Sequence, residues 1–353
     1  MRADDAQPQD VTLMTQPPSA ITPGEFASAI DDVRRQVGTV IVGQTTLVDT
    51  VLMGALCEGH VLLEGVPGLG KTKLLATLGT VLDVEFGRIQ FTPDLMPADI
   101  LGTNVLQGSR FEFHEGPIFA NLVLADEINR ATPKTQSALL EAMQERSVTL
   151  GGEGHALPRP FLVMATQNPI EQEGTYPLPE AQLDRFLFKA LVEFPPADDL
   201  VEILKRTTVS DEPRPSTVLD GPTLQRMSSL VRSLPAATHV MRYAATLVEA
   251  THPASPLSPD TVKTYVRNGA SPRGAQALIL GGKARAMMQG RPNLAAEDLW
   301  ALAPMALRHR LVLGYDALAD GVTADDVIRA VLEAHPSPVE APVGPDSTAA
   351  AGD

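Results

Sequence analysis

The chain has 353 residues, 44% of them apolar and 20% charged, with a formal net charge of −15. That length suits about two domains with proper cores. No apolar run approaches the ~20 residues of a membrane span, and the acidic N-terminus lacks a signal-peptide pattern, so a cytoplasmic protein with no stable membrane insertion is expected. The single cysteine, Cys57, excludes a disulfide framework and a cysteine-rich metal site.

Residues 1–25 set Arg2 against Asp4, Asp5, Asp10 and Glu25, and residues 336–353 hold Glu340, Asp346 and Asp353 without a base, so each tail carries −3 and the body −9. Both segments are rich in Pro, Ala, Gln and Ser and are expected to be disordered. An acidic body repels a nucleic-acid backbone unless a basic stripe compensates, and no such cluster is evident.

Between the tails, Val51–Cys57 reads as buried helix and His60–Leu63 as a buried strand. The strand runs into Gly65-Val66-Pro67-Gly68-Leu69-Gly70-Lys71-Thr72, which fits the phosphate-loop pattern G-x-x-x-x-G-K-T at every fixed position, and a helical pattern follows over Lys73–Leu82. Glycines let consecutive N–H groups turn toward phosphate oxygens at a helix N-terminus. Lys71 would reach the β- and γ-phosphates of ATP, and the Thr72 hydroxyl would ligate Mg2+. Further strands are predicted at Arg88–Phe91, Leu122–Ala125, Phe161–Ala165 and Lys189–Phe194. With helical patterns between most of them, these make an α/β nucleotide-binding domain over 26–195 with a five-stranded, mainly parallel sheet.

Two of the strands end in chemistry. Leu122–Ala125 ends in Asp126 and Glu127, which after a phosphate loop read as a Mg2+ holder and a polariser of the attacking water. Phe161–Ala165 leads through Thr166 and Gln167 to Asn168 and Pro169; Asn168 is either an ordinary turn residue or a hydrogen-bond partner of the γ-phosphate and lytic water. From Pro195-Pro196 onward the strands give way to amphipathic helices at Leu200–Thr207, Pro222–Ser233, Ala236–Thr251, Ser271–Gln289, Ala295–Leu307 and Ala324–Ala334, a helical domain over 196–335. Trp300, Leu302 and Leu307 are expected in its core. His114 and His155, single histidines on loops, are expected to be solvated.

Together Ile41-Val42-Gly43-Gln44, the loop at 65–72, Leu124–Ala131, Ala165–Pro169 and the string Leu178-Pro179-Glu180-Ala181-Gln182-Leu183-Asp184-Arg185-Phe186 resemble the AAA+ ATPases, and within them the MoxR family of the helix-2-insert group. The resemblance spans roughly 27–335. It implies a P-loop AAA+ core followed by an all-helical lid, with Val42 and Gly43 near the adenine and Asn168 as sensor 1. Arg185 would be an arginine finger reaching the γ-phosphate of a neighbouring subunit, the alternative being an ion pair with Asp184. Arg273, behind the cap Ser271 and Pro272 at the first helical position, would be sensor 2; a cation at that helix end wants an anion opposite. The segments Asp99–Pro117 and Ser147–Pro158, the latter a hairpin turning at Gly151-Gly152, resemble elements that face a central pore.

The resemblance implies ATP hydrolysis with Mg2+, a homo-oligomer of hexameric-ring type, client proteins to be remodelled or matured, with possible cofactor or metal insertion, and a partner bearing a von Willebrand factor A domain. A nucleic-acid motor of the related helicase type, a magnesium-chelatase-like subunit and a nucleotide-dependent scaffold are the alternatives. The hairpin Ser147–Pro158 contains no Lys or Arg for tracking phosphates, which speaks against the motor. Glu127 speaks against a pure scaffold.

Overall fold

The computed structural model describes residues 21–66, 68–168, 174–208 and 213–337. Pro67, Pro169 and most of both tails lie outside the described residues. Helix α1 (Pro23–Val40) opens with Thr22 and Glu25 capping each other's backbone N–H and with Pro23 at the first helical position. Residues 21–25, counted above with the N-terminal tail, therefore belong to the folded chain. Helix α2 (Thr45–Leu56) follows, and Cys57, its cap residue, is buried.

Five parallel strands make the central sheet: β1 (Val61–Glu64), β2 (Phe86–Gln90), β5 (Leu122–Asp126), β8 (Leu162–Gln167) and β9 (Phe188–Leu191), in the spatial order β2-β5-β8-β1-β9. Each strand foreseen in the sequence is present: β5 starts at Leu122 as expected, and the other four start one or two residues away from the expected position. Alternation explains why they read as unbroken apolar runs. Leu122, Leu124, Leu162 and Met164 enter the core on one face of the sheet, while Val123, Ala125, Val163 and Ala165 enter the core on the other. Helix α3 (Lys71–Val81) follows the phosphate loop and packs on the first face with α1 and α2.

The second face is covered by α4 (Pro97–Leu101) and α5 (Pro133–Glu145), and two hairpins project beside them. Strands β3 (Gly102–Gln107) and β4 (Arg110–Glu115) form one, and β6 (Ser147–Leu150) with β7 (Glu153–Ala156) the other. The β6–β7 turn has positive φ at both Gly151 and Gly152, 61° and 88°, the backbone that a two-residue hairpin of native twist needs. The hairpins meet: the Phe113 ring stacks on His155 with centroids 3.9 Å apart and packs edge-on against Phe119. His155, expected to be solvated, is thus held by an aromatic face, whereas the exposed His114 ring lies 3.4 Å from the Gln107 amide. Phe111, near the β3–β4 tip, is 72% exposed.

A short helix α6 (Glu180–Leu183) leads to β9, and α7 (Ala197–Thr207) leaves it behind Pro195-Pro196. The remaining helices, α8 (Gly221–Ser233), α9 (Thr238–Glu249), α10 (Asp260–Tyr265), α11 (Pro272–Met288), α12 (Ala296–Leu307), α13 (Tyr315–Asp320) and α14 (Ala324–Ala334), with the short pair β10 (Val266–Asn268) and β11 (Val312–Leu313), form the lid. Its core is continuous with that of the first sheet face. At the junction a Cβ on Gly281 of α11 would stand 2.5 Å from the Phe188 ring, so only glycine lets this helix approach β9. Leu302 and Leu307 are buried as expected, but Trp300 is not a core residue: it lies on the outer side of α12, 47% exposed.

Candidate functional site

A cleft of about 410 Å³ opens at the C-terminal ends of β1, β5 and β8, where parallel α/β sheets bind ligands. It is lined by Gly65, Gly68, Leu69, Gly70, Lys71 and Thr72 from the loop behind β1, by Asp126 and Glu127 from β5, and by Thr166 and Asn168 from β8. Gly68 and Gly70 hold φ of 84° and 74°, and a Cβ on either would meet nothing within 4 Å, so the loop's backbone faces open space. That combination fits a phosphate chain.

Lys71 is nearly buried, and its ammonium donates to the Gly65 carbonyl at 2.8 Å. Burial pushes its pKa below the usual lysine value, while Asp126 and Glu127 pull it back up. The two carboxylates are held tightly. The Thr166 hydroxyl donates to Asp126 Oδ1 at 2.8 Å and accepts the Glu127 N–H at 2.8 Å, and Arg88 reaches Asp126 Oδ2 at 2.7 Å. Glu127 Oε2 accepts from Gln90 and from Arg130, each at 2.9 Å. The Glu127 backbone is left-handed, φ 57° and ψ 49°, a conformation that a non-glycine residue adopts only when its surroundings over-determine it.

Arg88, Gln90, Arg130 and Thr166 were given no role from the sequence, although polar residues inside otherwise apolar β2 and β8 are a signal. In register, Gln90 sits opposite Asp126 on neighbouring β5. Gln44 is a further addition: its amide donates to the Leu69 carbonyl at 3.0 Å, tying the loop between α1 and α2 to the phosphate loop. Its Oε1 is buried without a hydrogen-bond partner, an acceptor left over beside Val42 and Gly43. On the other side of Gly43 lies the Asp199 carboxylate of α7.

Arg185 and Arg273 are not in this cleft. They line a second one of about 380 Å³, together with Arg146, Arg232, Arg310 and only two acids, Glu58 and Asp184. Asp184 does not pair with Arg185. It accepts from Arg310 at 2.9 Å and from Ser271 at 2.8 Å, and stands 3.7 Å from Arg273. Arg185 donates to the Leu140 carbonyl at 2.9 Å. Asp184 thereby fastens the corner that carries Arg185 to the lid helix that carries Arg273.

Two stretches of the chain match known families. Residues 60–188 match the ATPase family associated with various cellular activities (AAA), and residues 260–331 match the AAA lid domain. The chain is 47% identical over 84% of its length to Chaperone MoxR1 of Mycobacterium tuberculosis, covering 79% of that protein. It is 40% identical to the uncharacterized protein YeaC of Bacillus subtilis over 86% of this chain and 93% of that one. Protein MoxR of Paracoccus denitrificans is 32% identical over 80% of this chain and 88% of its own. A candidate ATPase from Cytophaga hutchinsonii superposes with a TM-score of 0.84 at 38% identity, over 88% of this chain and 95% of that one.

Proposed function

The chain belongs to the MoxR family of AAA+ ATPases and hydrolyses ATP; from that premise we propose that it assembles as a ring, of hexameric type, and uses hydrolysis to remodel or mature partner proteins. The observation that carries the ring is the separation of the two clefts. Phosphate-loop, carboxylate and Asn168 side chains share one, while Arg185 and Arg273 share another. A finger in its own cleft serves a nucleotide only when a second copy brings one there.

In this reading Lys71 and the N–H groups of Gly68–Thr72 bind the phosphates, and Val42, Gly43 and the free Gln44 Oε1 flank the base. Thr72 and Asp126 would hold Mg2+, which would neutralise negative charge on the phosphates. Glu127 takes the proton of the attacking water as its oxygen bonds to the γ-phosphorus and the bond to the β–γ bridging oxygen breaks. Asn168 orients that water. Arg185 and Arg273 of the adjoining copy stabilise the charge that develops on the transferred group, an effect worth 10³–10⁵ in rate for arginine fingers. The exposed side chains of Phe111 and Leu106 on the β3–β4 hairpin suit contact with protein clients. A partner carrying a von Willebrand factor A domain fits the same family, and client maturation by metal or cofactor insertion is one form that the remodelling would take.

The trans arrangement is tested by mixing. Arg185→Ala chains and Lys71→Ala chains, each inactive alone, should recover ATPase activity together, because a normal phosphate loop then meets a normal finger at some junctions. Mixed rings that assemble, shown by sedimentation, yet stay inactive at every ratio would make Arg185 a structural residue.

A further inference from the structure

We infer that two exposed helix faces of this chain, the α7 stripe beside the phosphate loop and the α13 face beside the arginine cleft, dock onto each other across every junction between copies. The inference rests on the reading that Arg185 and Arg273 serve a neighbouring copy's nucleotide.

Helix α7 is strongly amphipathic, yet none of its residues is buried. Val201 and Leu204 are 50% and 57% exposed, and Leu191 and Phe194 continue the apolar surface toward β9. This surface is attached to the nucleotide side. Leu191 lies in register with Glu64 at the end of β1, immediately before the phosphate loop, and the Val192 N–H donates to the Glu64 carbonyl at 2.8 Å. Arg206 fixes the far end of α7 by donating to the carbonyls of Gly38 and Thr39 at the end of α1.

Helix α13 presents the other face. Tyr315 is 90% and Leu318 84% exposed, and only Ala317 of this helix is buried. It is attached to the arginine side. The Gly314 N–H donates to the Tyr265 carbonyl at 2.7 Å and the Tyr265 hydroxyl to Asp320 at 2.9 Å. Two residues on, Arg267 stands 3.8 Å from Glu180, which opens the α6 turn ending at Asp184 and Arg185.

A ring of identical copies is heterologous: the face carrying the arginines on one copy meets the face carrying the phosphate loop on the next. Surfaces flanking those two sites then face one another. Each patch is apolar and unpartnered within the described residues, and each has aromatic anchors of the kind that dominate protein interfaces. Lys205 and Arg206 in the last turn of α7 are paired with Glu202 of the same helix, so apolar burial, not charge, carries the contact. A second copy of this chain is therefore the occupant for both.

Cross-linking decides it, since the only native cysteine, Cys57, is buried. Leu204→Cys and Leu318→Cys replace exposed side chains, so folding should be untouched. With a non-hydrolysable ATP analogue, magnesium and a short bismaleimide, a mixture of the two variants should give a cross-linked dimer that neither gives alone. Leu318→Glu should raise the protein concentration needed for half-assembly by at least about tenfold, the loss of one interface anchor. A dimer from either variant alone would overturn the pairing by showing a symmetric contact. Rings that sediment normally with both cysteines unlinked would overturn it too, giving α7 to a client or another segment and leaving the trans reading intact. Recovery of activity on mixing Arg185→Ala with Lys71→Ala chains measures that reading separately.

Discussion

Glu127 shows how much of the site depends on one residue's neighbours. Its strained backbone is held by Thr166, and its carboxylate by Gln90 and Arg130, so the side chain proposed as the base is already held in place. Glu127→Gln keeps the charge of Asp126 in place; it should bind ATP like the wild type while turnover falls by roughly 10²–10⁴, as for lost acid–base function. Thr166→Val removes the hydroxyl that links both carboxylates while keeping the side chain's shape. It should lower kcat by about 10- to 100-fold, the range for partners that orient site residues, with a much smaller change in nucleotide affinity. Affinity lost in step with kcat would assign Thr166 to binding. The carboxylates themselves were legible because an apolar strand ending in Asp-Glu after a phosphate loop has few other uses. Their supports were not, since a Gln on a neighbouring strand acquires its role only from the sheet order.

At the level of elements, β1 is anchored by a histidine that must stay neutral. His60 is buried, its Nδ1 accepts the Val163 N–H at 3.0 Å and its Nε2 lies 3.1 Å from the Met143 carbonyl, so the proton sits on Nε2. Burial lowers its pKa to about 4. The unfolded chain, with an ordinary value near 6.5, then binds more protons than the folded one between pH 6.5 and 4. Stability is therefore fully present above pH 6.5 and falls as the pH drops toward 4, by up to about 3 kcal/mol from this residue. Urea midpoints at pH 7 and pH 5 should differ in the wild type, and His60→Gln should flatten that difference; an equal slope in the variant would clear His60. Long lid helices were legible because their periodicity is strong over eight or more residues, as in α14, whose ends coincide with the expected Ala324–Ala334, and the central strands because they are apolar runs buried on both faces. Helices α10 and α13 and the pair β10–β11 were not, because segments of two to six residues carry too few side chains for a period. Trp300 misled for a related reason: its neighbours on α12 are buried, but helical geometry turns position 300 outward.

For the molecule as a whole, the discriminating property is where charge lies relative to the hairpins. The related motors track nucleic-acid phosphates with basic pore elements, and their affinity falls steeply with salt as counterions are released. Here β6–β7 has no base, and on β3–β4 the single Arg110 is matched by Glu112 and Glu115. The second cleft is rich in arginine, and in the proposed ring it would face the next copy's nucleotide. With −9 on the body, long-range attraction of a polyanion is absent as well. Single- and double-stranded DNA and RNA should therefore leave the ATPase rate unchanged at about 0.15 M salt and show no binding in fluorescence anisotropy. Replacing the exposed Leu106 and Phe111 by Ser should in contrast spare basal hydrolysis and weaken capture of protein clients by Glu127→Gln chains. Salt-dependent oligonucleotide binding, together with client capture that the hairpin replacement does not touch, would make the pore a nucleic-acid channel.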